Sequence, residues 1–287
     1  MNGWIIYNGS LPSDKFLDQA QLLQEAGYAR EVTLDIRTND SFRYSTASPI
    51  EPLPDFVFFL DKDVLLAEVL ETQGVRVFNS SEAIATCDHK GRQAIALMKA
   101  DIPMPETILA PKTYAASNFL PRSFYESVLQ TLGLPVIIKE AHGSFGMTVY
   151  LIETEEQFFE AVHQLHGKEY LFQRYVETSH GRDVRVNVVG GEVVAAMKRH
   201  STTDFRANIT NGGTASRVTL TKEQKAVALQ ASRAVGTDFA GVDLLYGPDG
   251  PLVCEVNAAA HIRNIYEVTG TNVAHAMIDY VLKEMNK

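Results

Sequence analysis

Apolar positions in the first 87 residues form short runs separated by a helical repeat. Residues 4–7 are one such run, and turn residues 8–13 separate it from Phe16, Ala20 and Leu23, which share one helix face at i, i+4 and i+7. Gly27 is the expected end of that helix. Runs at 32–36, 56–60 and 75–78 predict three more strands, with a helix at 64–73 ended by Gly74. This alternation predicts a small βαβ domain. The polar stretch 37–48, followed by Pro49, Pro52 and Pro54, predicts a surface loop.

After Asn79 the pattern changes. Residues 80–99 read as one helix, stopped at Ile102-Pro103-Met104-Pro105 because proline removes an amide and restricts its predecessor. A boundary is expected at 86–89. Strands follow at 107–110, 135–139, 147–152 and 170–176, with helices at 123–132 and 155–165. Strands 183–189 and 192–199 flank Gly190-Gly191, a hairpin signal. The remainder reads as helix 222–235, strands 241–246 and 252–257 joined by a turn, and helix 273–285. No repeat interrupts this α+β order.

A length of 287 residues fits two or three domains, and 45% apolar with 21% charged residues excludes disorder and fibrous repeats. The longest aliphatic and aromatic runs are about a quarter of the ~20 residues a membrane helix needs. No export signal is read near Lys15, so a cytoplasmic address without membrane contact is expected. Cys87 and Cys254 are expected as reduced core thiols. The net charge of −9 argues against nucleic-acid binding. Residues 1–87 hold 6 basic against 13 acidic side chains, whereas residues 168–217 hold 8 against 5. That positive island suits a polyanionic ligand or an ordinary solvated face.

Three constellations carry candidate chemistry. Glu255 and Asn257 alternate onto one strand face, and a hairpin partner can bring Asp243 beside them. Three hard oxygen ligands suit magnesium rather than zinc, the alternative being a solvent-facing polar stripe. Lys139 ends the apolar strand 136–139 and precedes a loop at 142–147 with Gly143, Ser144 and Gly146. Such a lysine and such backbone amides can meet an anion, although an ordinary hairpin loop has the same composition. Arg199, Arg206 and Asn208 precede Gly212-Gly213, where arginines can fork onto phosphate or remain at the surface. No nucleophile elbow or triad order is present.

In order, Asp88-x-Lys90, Val136-Ile137-Ile138-Lys139, Gln173-Arg174-Tyr175-Val176, Gly181-Arg182-Asp183-Val184-Arg185, Asp204-Phe205-Arg206-x-Asn208, Ala240-Gly241-Val242-Asp243 and Glu255-Val256-Asn257 resemble the ATP-grasp superfamily. Within it the chain is most similar to the RimK-type α-L-glutamate ligases and the LysX-type ligases. The resemblance implies an ATP-grasp fold of two α+β subdomains around ATP, preceded by a small Rossmann-like pre-ATP-grasp domain. The implied ranges are 1–87 for that first domain and 88–287 for the ATP-grasp domain, with subdomains at about 105–175 and 176–287. It further implies Lys90, Lys139, Gly143, Ser144 and Gly146 at the phosphates, and Gln173, Arg174, Tyr175 and Val176 at the adenine hinge. Asp183 matches the ribose acid, Arg206 and Asn208 groups near the γ-phosphate, and Asp243, Glu255 and Asn257 the magnesium ligands. Arg199 joins Arg206 and Asn208 as an expected catalytic group. Arg174 departs from the acidic residue usual before the hinge tyrosine. After Asn257 the chain has Ala258-Ala259-Ala260-His261-Ile262-Arg263-Asn264 where RimK has Ser-Pro-Gly, closer to LysX. His261, Arg263 and Asn264 are therefore the expected substrate contacts.

The implied activity is an ATP- and magnesium-dependent carboxylate–amine ligase working through an acyl phosphate. It would use two magnesium ions, with manganese as an admissible substitute. Its expected partners are an amino acid such as glutamate and a small carboxylate, acidic peptide or carrier protein, with self-association left open. The alternatives are a small-molecule phosphotransferase using the same site, and a regulator without turnover.

Overall fold

The computed structural model describes residues 1–287 except Pro12, Phe145, Thr210 and Asn211. Pro12 of the expected turn and Phe145 of the expected phosphate loop thus lie outside the described residues.

The N-terminal region comprises β1 (Asn2–Tyr7), α1 (Lys15–Tyr28), β2 (Thr33–Thr38), β3 (Phe56–Phe59), α2 (Val64–Thr72) and β4 (Arg76–Phe78). Its strands form a parallel sheet ordered β2-β1-β3-β4. Alternate residues feed two cores: Ile5, Phe56 and Phe58 face α1, whereas Trp4, Ile6, Val57 and Phe59 face α2. Gly27 does not end α1, which continues to Tyr28. A Cβ at Gly27 would lie 2.6 Å from Leu34 Cδ1, so close packing against β2 accounts for the glycine.

The expected helix 80–99 is two helices, α3 (Ser81–Asp88) and α4 (Lys90–Lys99). His89 between them is extended, and its Nδ1 accepts from the amides of Gly91 and Arg92 at 3.1 and 3.3 Å. An imidazole here does the work of an Ser or Asp N-cap. Lys90 thereby starts a new helix instead of continuing the old one.

Next come β5 (Thr107–Leu109), α5 (Arg122–Leu132), β6 (Val136–Glu140), β7 (Val149–Ile152), α6 (Glu155–Gln164) and β8 (Tyr170–Arg174). They build an antiparallel sheet, β5-β8-β6-β7, over a core containing Tyr125, Phe158 and Phe172. The last part comprises β9 (Arg182–Val189), β10 (Glu192–His200), β11 (Thr214–Arg217), α7 (Lys222–Ala234), β12 (Phe239–Tyr246), β13 (Pro251–Asn257), α8 (Arg263–Thr269) and α9 (Val273–Met285). Its antiparallel sheet is ordered β11-β10-β9-β12-β13. Gly190 and Gly191 turn the β9–β10 hairpin with φ of 59° and 80°, the conformation of a two-residue turn that glycine adopts without strain. β11 and α8 were not expected: β11 is short and mostly exposed, and α8 has no side-chain cap. The core around Phe56 and Phe78 runs on into Phe239 and Ile278, so the first sheet shares one face with the C-terminal part.

Candidate active site

The last two sheets and the ends of the first enclose a cavity of about 480 Å³. Every candidate residue named from the sequence lines it except Arg263. Its long axis follows from strand register. β6 pairs Val136 with Arg174 and Lys139 with Leu171, so segment 173–176 and the glycine loop after Glu140 lie at opposite ends of one strand, roughly 13 Å apart at ~3.3 Å per residue.

At the loop end two ammonium groups converge. Lys90 Nζ donates to the Gly143 carbonyl at 3.2 Å, and burial, with Lys139 and Lys62 nearby, holds its pKa below the ordinary value against the pull of Glu255. Lys139 is only 7% exposed, and its Nζ meets Cys254 Sγ at 3.8 Å. It forms no salt bridge with the carboxylates of the described residues. A buried ammonium without a counter-charge is costly, and an anion would relieve it. Gly143 has φ 136° and a Cβ there would lie 2.2 Å from Thr148 Oγ1, so the backbone can approach a ligand only as glycine.

Cys254 corrects the expectation of two core thiols. A bulge after Asp243 places it on the cavity wall beside Lys139. Cys87 packs against the core, where burial pushes its thiol up to about 12; both cysteines are free.

On the floor, β12 and β13 set Asp243 directly opposite Glu255 and Gly241 opposite Asn257. Glu255 makes no hydrogen bond or salt bridge with described residues, and Asn257 uses only Nδ2, toward the Gly241 carbonyl at 3.4 Å. A carboxylate and an amide oxygen are thus free for a hard cation, which fits magnesium. Asp243 differs: Arg185 forks onto both its oxygens and Arg199 approaches at 3.0 Å. Although burial opposes it, Arg185 and Arg199 hold the Asp243 carboxyl below the usual range. Oδ2 takes both guanidinium groups and Oδ1 takes Arg185 alone, so a metal would reach Asp243 through the remaining lone pair of Oδ1.

The same network holds two further expected residues. Arg199, expected to be catalytic, is 5% exposed and forks onto Asp183 at 2.7 and 2.6 Å while touching Asp243. Every strong contact of its guanidinium is taken by a carboxylate, so it positions them. Asp183, expected on ribose, lines the cavity and accepts one bond from Arg199 on each oxygen, which leaves each a lone pair.

At the hinge end, Arg174 turns its side chain to Glu106 and to the carbonyls of Thr131 and Leu132. Gln173 donates to Thr107 Oγ1 at 2.9 Å, Tyr175 bonds His180, and residues 173–176 all line the cavity. Arg206 pairs with Asp204 and donates to the Gly146 carbonyl, tying the glycine loop to the Asn208 segment. Ser144, Asn208 and Asn264 line the cavity. His261 meets the Phe16 ring at a tilt of 60°, centroids 4.9 Å apart, and burial, helped by Lys15 and Arg185, lowers its pKa to about 4. Arg263 instead forks onto Asp18 of α1, away from the wall. Its expected substrate contact is therefore corrected to a clasp between the N- and C-terminal parts.

Sequence reading passed over three polar residues. Asn79, 1% exposed, accepts from the Asp238 and Phe239 amides and donates to the Phe239 and Ala258 carbonyls. Gln93 accepts from the Val256 amide at 2.8 Å and donates to its carbonyl at 2.9 Å, fixing the strand that carries Glu255 and Asn257. Asp61 is 7% exposed on the cavity wall. Each stood in a polar segment whose partners are distant in sequence, and no local motif marked it.

Comparison with known proteins gives concordant findings. The family model described as RimK-like ATP-grasp domain matches residues 87–281. An uncharacterised protein of Mycoplasma genitalium is 31% identical over 94% of this chain and 96% of its own length. A probable alpha-L-glutamate ligase of Stutzerimonas stutzeri is 35% identical over 74% of this chain and 69% of its own. The ATP-grasp ligase PsnB, solved with a phosphomimetic variant of its minimal precursor, Mg and ADP, superposes with a TM-score of 0.72 at 18% identity, covering 99% of this chain and 98% of that one. The fold shared with that structure is ATP-grasp. No helix among the described residues is long and apolar enough to cross a membrane.

Proposed function

This chain belongs to the RimK-like ATP-grasp family of ligases, and from that premise we propose that it joins the amine of glutamate or a similar amino acid to a small carboxylate or the carboxylate of an acidic peptide, using ATP. Residues 1–87 would form the leading domain and 88–287 the ATP-grasp domain. Adenine would lie along the 173–176 backbone. The phosphates would lie at Lys90, Lys139 and the amides of the 142–147 loop.

Glu255 and Asn257 would hold magnesium, with Asp243 as a third ligand; the ion supplies charge neutralisation to the phosphates. Arg206 and Asn208 would sit near the γ-phosphate, Arg206 keeping the loop closed through Gly146. A substrate carboxylate oxygen attacks the γ-phosphorus, ADP leaves, and an acyl phosphate forms. The amine then attacks the acyl carbon and phosphate departs. The chain supplies placement and charge, for which no protein nucleophile is needed. Arg199 would act at one remove, keeping Asp243 ionised.

The observation that carries this reading is one cavity holding a buried lysine, Lys139, and a carboxylate, Glu255, neither of which forms a salt bridge among the described residues. The test is ADP release and product mass spectrometry with amino acids and glutamate-terminated peptides. Glu255→Gln should reduce turnover by about a hundredfold or more while the melting curve is retained, as expected for losing several kcal/mol of metal-assisted stabilisation. A phosphorylated product instead of an amide would replace the reading with phosphotransfer.

A further inference from the structure

Four carboxylates line the cavity, and three have a place: Asp183 and Asp243 face arginines, and Glu255 is the proposed cation ligand. Asp61 is the fourth. It is 7% exposed and forms no salt bridge among the described residues. Asn8 Nδ2 donates to its two oxygens at 3.2 and 3.1 Å, while Asn8 Oδ1 is held by Ser10. Each carboxylate oxygen has a lone pair to spare.

Its position in the fold is also specific. Asn8 follows β1 and Asp61 follows β3, and in the order β2-β1-β3-β4 these two strands flank the point where the sheet changes direction. The crevice beyond the carboxyl ends of strands at such a point is where open parallel sheets receive ligands. Lys62, next in sequence, pairs with Asp88 at 2.7 Å, and Asp88 meets His142 of the glycine loop. The crevice therefore opens at the phosphate end of the cavity. Phe16 and Leu60 make its apolar sides.

We propose that the Asp61 carboxylate, framed by Asn8, binds the ammonium group of the incoming amino acid and accepts the proton it must lose before its nitrogen attacks the acyl phosphate. This rests on the ligase reading. Burial raises the Asp61 pKa, aided by Asp63 and opposed by the Lys62 amide, Asn8 and the Lys62 charge; because the Lys62 ammonium itself pairs with Asp88, a further cation at Asp61 would offset the burial. A single carboxylate beside an amide nitrogen is a poor metal site, whereas an ammonium brings three donors to spare carboxylate lone pairs.

The test is a competition. The enzyme is given ATP, magnesium, an N-acetylated glutamyl-glutamate dipeptide as carboxylate, and L-glutamate together with hydroxylamine. Hydroxylamine, uncharged near neutral pH, traps an acyl phosphate as a hydroxamate without needing an ammonium pocket. The ratio of amide to hydroxamate should fall roughly ten- to a hundredfold in Asp61→Asn, the value of one charge-assisted bond. Asp61→Glu, which keeps the charge, should recover part of it. Both products arise from the same folded molecules, so the ratio is independent of how much variant folds. Equal ratios in the three proteins overturn the subsite. Neither product from the wild type overturns the ligase reading, and the subsite with it.

Discussion

The floor of the cavity and its loop end are built on opposite electrostatic terms. On the floor Arg185 and Arg199 face Asp183 and Asp243, three buried charges and the half-buried Arg185 in one contact network. At the loop end Lys139 is equally buried and has a thiol for company. The arginine–aspartate network neutralises itself, and the loop end is complete only with an anion. Buried charges in one active site thus divide into those that hold the frame and those that await a ligand, and local sequence does not separate the two.

Arg199→Ala should break the contrast most sharply. Removing one partner strands buried carboxylates, so stability should fall by about 3–5 kcal/mol in urea unfolding. Lys139→Ala removes a charge with no internal partner. Its ATP affinity by calorimetry should drop by about 1.5–3 kcal/mol, with far less effect on unfolding than Arg199→Ala. Comparable stability losses in the two variants would erase the distinction.

His261 tests the cavity wall through pH. Its folded pKa of about 4 lies below the ordinary value, so the unfolded chain binds its proton first. The stability that depends on neutral His261 is full above about pH 6.5 and is lost as pH falls toward 4, by about 1–2 kcal/mol once partial exposure is allowed for. Urea midpoints of His261→Gln across that window should be flatter than those of the wild type. The smallest effect belongs to Arg263→Lys. With Asp18 as its partner and about a third of each side chain exposed, the change should cost about 0.5 kcal/mol and leave the amino-acid KM where it was. A raised KM would return Arg263 to the substrate.

What the sequence made legible follows the range of each interaction. The Asp243–Glu255–Asn257 arrangement could be read because one hairpin carries it, and the strands of the first sheet because their apolar residues are contiguous. Arg263 was misassigned because its partner Asp18 is 245 residues away. Arg199 was expected beside Arg206 as a catalytic group, and its pairing with two aspartates on two other strands was not legible because those partners are distant in sequence. The break at His89 went unseen because neither glycine nor proline marks it; an imidazole accepting two amides leaves no pattern in a hydropathy profile. Cys254 sits in an apolar run, and only the bulge turns it to the cavity.

Gln93 has a consequence outside catalysis. β13 is an outer strand of its sheet, with backbone groups that could recruit a strand from another molecule. The Gln93 amide occupies both groups of Val256, and the Pro103 carbonyl takes the amide of Val253. A side chain and a proline-rich stop thus blunt the edge at the strand that carries Glu255. Loss of that cover would expose the cation-binding strand to intermolecular pairing, making solubility at high concentration a property of this helix as much as of the surface charge.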